Sequence, residues 1–339
     1  MSSLSMIVSS EEESFPLANN LSVDEITERL HVMQHQESTN YKVRDYIRKA
    51  SRSTRQHREL SVDPECRAKM CEWCYQVADY CNFSRQTVAM SMVYLDRFMS
   101  SRHPTSSEAT YSKKKYQLAA MTCLYVAVKL FEPMAMDTAL LSEISHGCYD
   151  EDDIEMMEQD ILQALGWKMN GPTAHDVLSH LIMLLPKETS FCDNYDSVAS
   201  ALFDFSRFQS EIAVSDYELA LEKPSVVAFA AILNSAEGIS EKLFSAKSRF
   251  QYLQLVTNLT DMNPFSAKVN AVRIRLLTLF EINSGYNLPQ IASLTPVVYA
   301  GQALTHSKYE KAGTISPVSV VKEALPERYS GSRTRARCA

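Results

Sequence analysis

Between residues 64 and 283, apolar residues recur three and four positions apart, the period of helices that bury one face. The spacing predicts a helix near 64–81, with Arg67, Met70, Cys71, Cys74, Val77, Ala78 and Cys81 along one side. A second, near 84–100, begins at Ser84, a good N-cap. The polar stretch SRHPTSSEATYSKKK reads as a loop leading to a third helix near 115–132. That third segment, YQLAAMTCLYVAVKLF, is apolar on every side and so should be enclosed by neighbours until Pro133 stops it. A short helix near 138–146 follows, then one near 150–166 that opens on four acids, Asp150–Asp153, and ends at Gly166.

NGPTAHDVL, at 170–178, opens a second set of helices, near 172–185, 193–211, 224–237, 240–246, 248–259 and 264–283. Among them KPSVVAFAAILNSA is again small-residued and apolar all round, with Pro224 near its start. Each half therefore reads as about five helices around one buried helix. Two short helices are expected upstream, near 22–35 and 40–50. The division that follows is 1–40 mostly disordered, 41–63 an N-terminal helix and linker, 64–170 and 171–284 two helical units, and 285–339 a flexible tail.

Composition narrows the class. Of 339 residues, 45% are hydrophobic and 22% charged, as in a globular chain, and only 8 are glycine. Glycine-rich nucleotide loops and β-rich folds are therefore disfavoured. A net charge of −7 argues against a general nucleic-acid binder. The longest apolar run is too short for a membrane span and contains Lys129, and the acidic N-terminus does not read as a signal peptide. The 8 cysteines show no repeated zinc spacing, so they read as packing thiols in a reducing compartment, with no metal or cofactor called for.

Four charges break the apolar faces. Arg67 lies one turn before Met70 and Cys71, and Asp96 lies among Met92, Val93 and Met99. Lys129 follows Tyr125 and Val126, and Glu158 lies between Ile154 and Leu162. Buried charges are expensive unless paired. Arg67 and Asp96 on adjacent antiparallel helices read as a structural ion pair. Lys129, at a helix C-terminus where core meets surface, reads with Glu158 as a pair able to engage a partner's backbone.

VAMSMVYLDRFMSS, LAAMTCLYVAVKLFEP and ELALEKPSVVAFAAIL together resemble the cyclin fold of cell-cycle cyclins, and CRAKMCEWC resembles the start of the first cyclin box. The resemblance covers about 60–283 and implies an all-α tandem cyclin fold with two boxes. Arg67, Asp96, Lys129 and Glu158 fall on the family's signature ionic positions and Leu118 on its signature leucine. By resemblance, Lys129 and Glu158 bind the main chain beside a cyclin-dependent kinase's C-helix. Leu130, Leu162 and Met169 match apolar interface positions, and Tyr46 and Ile47 add to that face. The implied protein is a non-catalytic regulatory subunit in nucleus and cytoplasm, which repositions the kinase's C-helix and activation loop to control cell-cycle progression.

Met70, Trp73 and Gln117 match the family's docking patch for substrates or inhibitors, with Gln76 at the position where an acidic residue can meet a substrate arginine. Cys66 and Lys69 replace larger apolar residues there, and Lys69 would repel a substrate arginine. Thr295-Pro296 and Ser316-Pro317 are candidate phosphosites, and RTRAR a candidate import signal. Two alternatives stand beside the kinase reading: a cyclin-fold transcription factor or transcriptional-kinase cyclin, and an enzyme built on His146-Gly147-Cys148. The transcription factor would need a zinc ribbon and a basic face, neither of which is visible, and the enzyme lacks an orienting group.

Overall fold

The computed structural model describes residues 21–51, 61–134, 136–187 and 195–284, and among these every regular element is a helix. In chain order they are α1 Val23–Ser38, α2 Tyr46–Ser51, α3 Pro64–Cys81, α4 Arg85–Met99, α5 Pro104–Thr110, α6 Lys113–Phe131 and α7 Thr138–Ile144. Then come α8 Glu151–Leu165, α9 Ala174–Met183, α10 Tyr195–Ser215, α11 Tyr217–Ala220, α12 Pro224–Gly238, α13 Ala246–Thr260 and α14 Ala267–Ser284.

Local chemistry sets many of the ends. Asp63, Ser84, Ser112, Asp137 and Asp150 cap the helices that follow them with side-chain oxygens, and the left-handed residues Asn82 and Gly166 end α3 and α8. The first core gathers α3, α4, α6, α7 and α8 around α6, which is buried continuously from Tyr116 to Val128. The second gathers α9, α10, α12, α13 and α14 around α12, where Val227–Ala236 is buried throughout. The all-helical, two-bundle architecture expected from the periodicity is present.

Several expected boundaries change. Part of the polar loop is helix α5: Pro104 starts it, and Ser106 and Ala109 turn into the core. No helix forms at 240–246. The amides of Leu243 and Phe244 both donate to the Ser240 carbonyl, and Ser245 then caps α13. The N-terminal segment is not disordered through residue 40. Ser22 and Glu25 close a capping box, and Ile26 and Leu30, one turn apart, are buried in the second core. Residues 1–20, 52–60 and 285–339, including both candidate phosphosites and RTRAR, lie outside the described residues.

The helix α1 also completes α12. Lys223, at the N-cap of α12, cannot accept a hydrogen bond with its side chain and makes no capping bond. Glu37 of α1 takes that role, accepting from the Ser225 amide at 2.9 Å and the Ser225 hydroxyl at 2.5 Å. The carboxylate is 4% exposed, and burial holds its pKa above the ordinary value despite those two bonds.

Candidate functional site

Two ion pairs organise the first bundle, one inside and one at its rim. Inside, Arg67 of α3 meets Asp96 of α4 in a fork: Nε donates to Oδ1 at 2.9 Å and Nη2 to Oδ2 at 2.8 Å. Both side chains are essentially inaccessible. Burial works against the Arg67 charge, but Asp96 outweighs it and holds the guanidinium protonated. The fork has two further partners that helix spacing alone did not suggest. The Tyr46 hydroxyl of α2 donates to Asp96 Oδ1 at 3.0 Å. Arg67 Nη1 donates to the carbonyl of Val214, near the end of α10 in the second bundle, at 2.7 Å. One buried pair therefore ties α2, both first helices and the second bundle together.

At the rim, Lys129 occupies the last turn of α6 and Glu158 the middle of α8. Lys129 Nζ donates to Glu158 Oε1 at 2.7 Å and lies 4.8 Å from the centre of the Tyr125 ring. Partial burial pulls the ammonium pKa down, but Glu158 and Tyr125 more than offset it. The Lys129 side chain keeps 43% of its surface exposed and Glu158 16%, so the pair faces solvent.

Apolar side chains follow both members of the pair along the chain. Leu130 is 50% exposed and Phe131 44%, while Leu162 is half-buried. Met169 is buried, so it can only line the floor of this face. Sequence reasoning missed Trp167, which is 71% exposed and holds a left-handed φ of 59° rare for a large side chain. Its amide donates to the Leu162 carbonyl, which seats the indole at the C-terminal end of α8. The signal was available: an aromatic immediately after a C-capping glycine has no helix face left to bury it.

The end of α6 is fixed from behind. Glu132 accepts from the Ser84 amide at 2.9 Å and from the Thr87 hydroxyl, adding a second cap to α4 alongside Ser84. Tyr46 and Ile47, expected on the open face, are buried in the first core.

The expected docking patch takes a different form. Met70, Trp73 and Gln117 are all buried, and Gln117 accepts from the Tyr149 hydroxyl at 3.2 Å. Only Gln76 is half-exposed, and Lys69 pairs with Glu65 at 3.3 Å. Met70 and Trp73 of α3 and Gln117 of α6 are core residues, while Gln76 reaches the surface. The buried thiols are unreactive in kind: burial pushes Cys71 up to about 12 and raises Cys66, Cys74 and Cys123. His146 lies in an exposed left-handed turn. Among the described residues no group of three His, Cys, Asp or Glu is placed to hold a metal ion, and no helix is long and apolar enough to cross a membrane.

A family model described as "Cyclin, N-terminal domain" matches residues 28–170. Relatives include Cyclin-A1-2 of Oryza sativa subsp. japonica, 23% identical over 69% of this chain and 44% of its own length. Cyclin-D2-1 of the same plant is 34% identical over 34% of this chain and 37% of its own length. Putative cyclin-A3-1 of Arabidopsis thaliana is 26% identical over 56% of this chain and 47% of its own length. The chain thus spans under half the length of these relatives. Among solved structures, a viral cyclin from herpesvirus saimiri superposes with a TM-score of 0.51 at 17% identity, covering 76% of this chain and 98% of its own, which shows a shared fold. Residues 28–170 thus match a cyclin N-terminal domain, and the chain is similar to cyclins in sequence and shares the fold of a viral cyclin across its two helical bundles.

Proposed function

We propose that this protein is a regulatory subunit that binds and activates a cyclin-dependent Ser/Thr kinase and performs no chemistry of its own. The observation that carries the reading is the Lys129–Glu158 pair, charged and half-open to solvent, on the same two helices whose ends carry exposed Leu130 and Trp167. Such a rim offers a partner's main-chain groups the two ammonium hydrogens that Glu158 leaves over, and the remaining acceptor sites of the carboxylate. Docking there stabilises one position of the kinase's C-helix. An equilibrium already present in the kinase then shifts toward the form whose glutamate meets the ATP-binding lysine. The pairing is preorganised, because Glu158 holds Lys129 before the partner arrives.

The relatives' cyclin-A and cyclin-D names support a cell-cycle role over a transcriptional one. The test is activation of individually purified cyclin-dependent kinases by the full chain, read as phosphate transfer to histone. Wild type is expected to activate at least one. A Lys129→Ala/Glu158→Ala protein is expected to activate none while melting normally. Full activation by that variant would move the binding face elsewhere on the molecule.

A further inference from the structure

Apolar residues occupy every side of α14, as they do in α6 and α12. Its inner side, Val269, Val272, Leu276 and Phe280, is buried. Its outer side, unlike theirs, is open. Ile274 is 58% exposed and Ile282 59%, and Phe265, two residues before the helix, is 90% exposed. Ala267, Ala271, Ile274, Thr278 and Ile282 are all exposed and follow one another at steps of three and four, so they form a single stripe along the helix. A helix apolar on all sides is ordinarily enclosed, and the exposed apolar residues of ordinary surfaces are scattered singly.

No charge interrupts the stripe. The cations of α14 turn to acids of the second bundle instead: Lys268 pairs with Glu222, Arg273 with Glu237 and Arg275 with Asp216. The Thr278 hydroxyl donates to the Ile274 carbonyl at 3.0 Å, so the one hydroxyl of the stripe is satisfied within the helix. The outer side therefore presents hydrocarbon, bordered by Glu281 on one edge and by Lys268 and Arg275 on the other.

The chain that leaves α14 has matching chemistry. From Ile282 to Ser307 it contains no Asp, Glu, Lys or Arg, whereas residues 308–339 carry charges of both signs. Leu288, Ile291, Leu294, Val297 and Val298 fall in the uncharged stretch, a composition that favours burial over solvation. Pro289 and Pro296 favour an extended course over a continued helix. We propose that residues 286–299 fold back along α14 and cover its outer stripe. At roughly 1.5 Å per helical residue the stripe from Ala267 to Ile282 is about 22 Å long, and residues 286–294 in extended form reach about 30 Å. Attachment at Ser284 gives the segment a high effective concentration on that face. A second copy of the chain is the competing occupant, but a stable pair buries about 1,000 Å² or more, which three large side chains and two alanines do not supply.

The test is limited chymotrypsin digestion of the full chain, with cleavage after Tyr286 and Tyr299 timed against a synthetic peptide of residues 284–307. Cleavage tracks the fraction of molecules in which the segment is released. Wild type is expected to be cut there at least about tenfold more slowly than the peptide, as a monomer in sedimentation and independently of protein concentration. Ile274→Asp changes an exposed side chain, so it should melt as wild type while cleavage rises toward the peptide rate. Leu288→Asp/Ile291→Asp should have the same effect from the other side of the contact. Tyr80→Asp, on an exposed residue of the first bundle, should leave the protection unchanged. Peptide-rate cleavage of wild type would overturn the proposal, as would protection that survives Ile274→Asp. Protection lost on dilution, together with a dimer in sedimentation, would assign the stripe to a second copy and overturn it equally.

Discussion

Two buried carboxylates of this chain respond differently to burial. Asp96 accepts from Arg67 and Tyr46, so its charge is matched, and removing it strands a guanidinium at the junction of the two bundles. Asp96→Ala is expected to cost about 3–5 kcal/mol of stability, read by urea unfolding, because a buried cation is left without its partner. Glu37 is held by neutral donors, and burial raises its pKa above 4.5. A raised folded-state pKa means the folded chain binds the proton more tightly than the unfolded one. Its stabilising contribution is therefore full below about pH 4.5 and is lost as pH rises through the folded value. Glu37→Gln should flatten the part of the stability profile that lies above about pH 4.5, measured by denaturation against wild type. Identical profiles would contradict the assignment. The ionic residues were legible in the sequence because a charge on an apolar helical face stands out. Their extra partners were not, since Val214 lies 147 residues from Arg67 and no local period relates them.

At the scale of the element, the strongly periodic helices were readable and the short or trans-capped ones were not. The helices α6 and α12 announce themselves by being apolar all round, which only an enclosed helix tolerates. The helix α5 was hidden in a polar stretch, because two small residues, Ser106 and Ala109, are all it buries. The role of α1 was hidden for another reason: its anchors Ile26 and Leu30 belong to a bundle that begins more than 130 residues later. Leu30 is wholly inaccessible, so Leu30→Ala should cost about 2–5 kcal/mol even though it lies outside both helical repeats. Calorimetry would show it, and an unchanged melting curve would mean that α1 is dispensable. Glu132 offers a smaller test. It adds a cap to α4, so Glu132→Ala should destabilise by about 0.5–2 kcal/mol. The docking patch shows the limit of reading an element by position alone. Its residues occupy the expected places on α3 and α6, but Met70, Trp73 and Gln117 point into the core.

The whole molecule is two bundles joined by polar contacts as much as by apolar ones. Arg67 reaches the Val214 carbonyl, Tyr75 donates to the Glu211 carbonyl at 3.3 Å, and the Tyr217 hydroxyl donates to Asp45 at 3.0 Å. These bonds fix the second bundle against the first, on which the Lys129–Glu158 rim stands. The core pair thus acts on architecture, and the proposed partner contact falls to the rim pair, whose side chains reach solvent. The central claim is tested most directly by the dissociation constant of the full chain for a cyclin-dependent kinase it activates, compared with that of Lys129→Ala/Glu158→Ala. A weakening of at least about a hundredfold, equivalent to about 2.7 kcal/mol, is expected, with an unchanged melting temperature because both side chains reach solvent. An unchanged dissociation constant in a normally folded variant would contradict it.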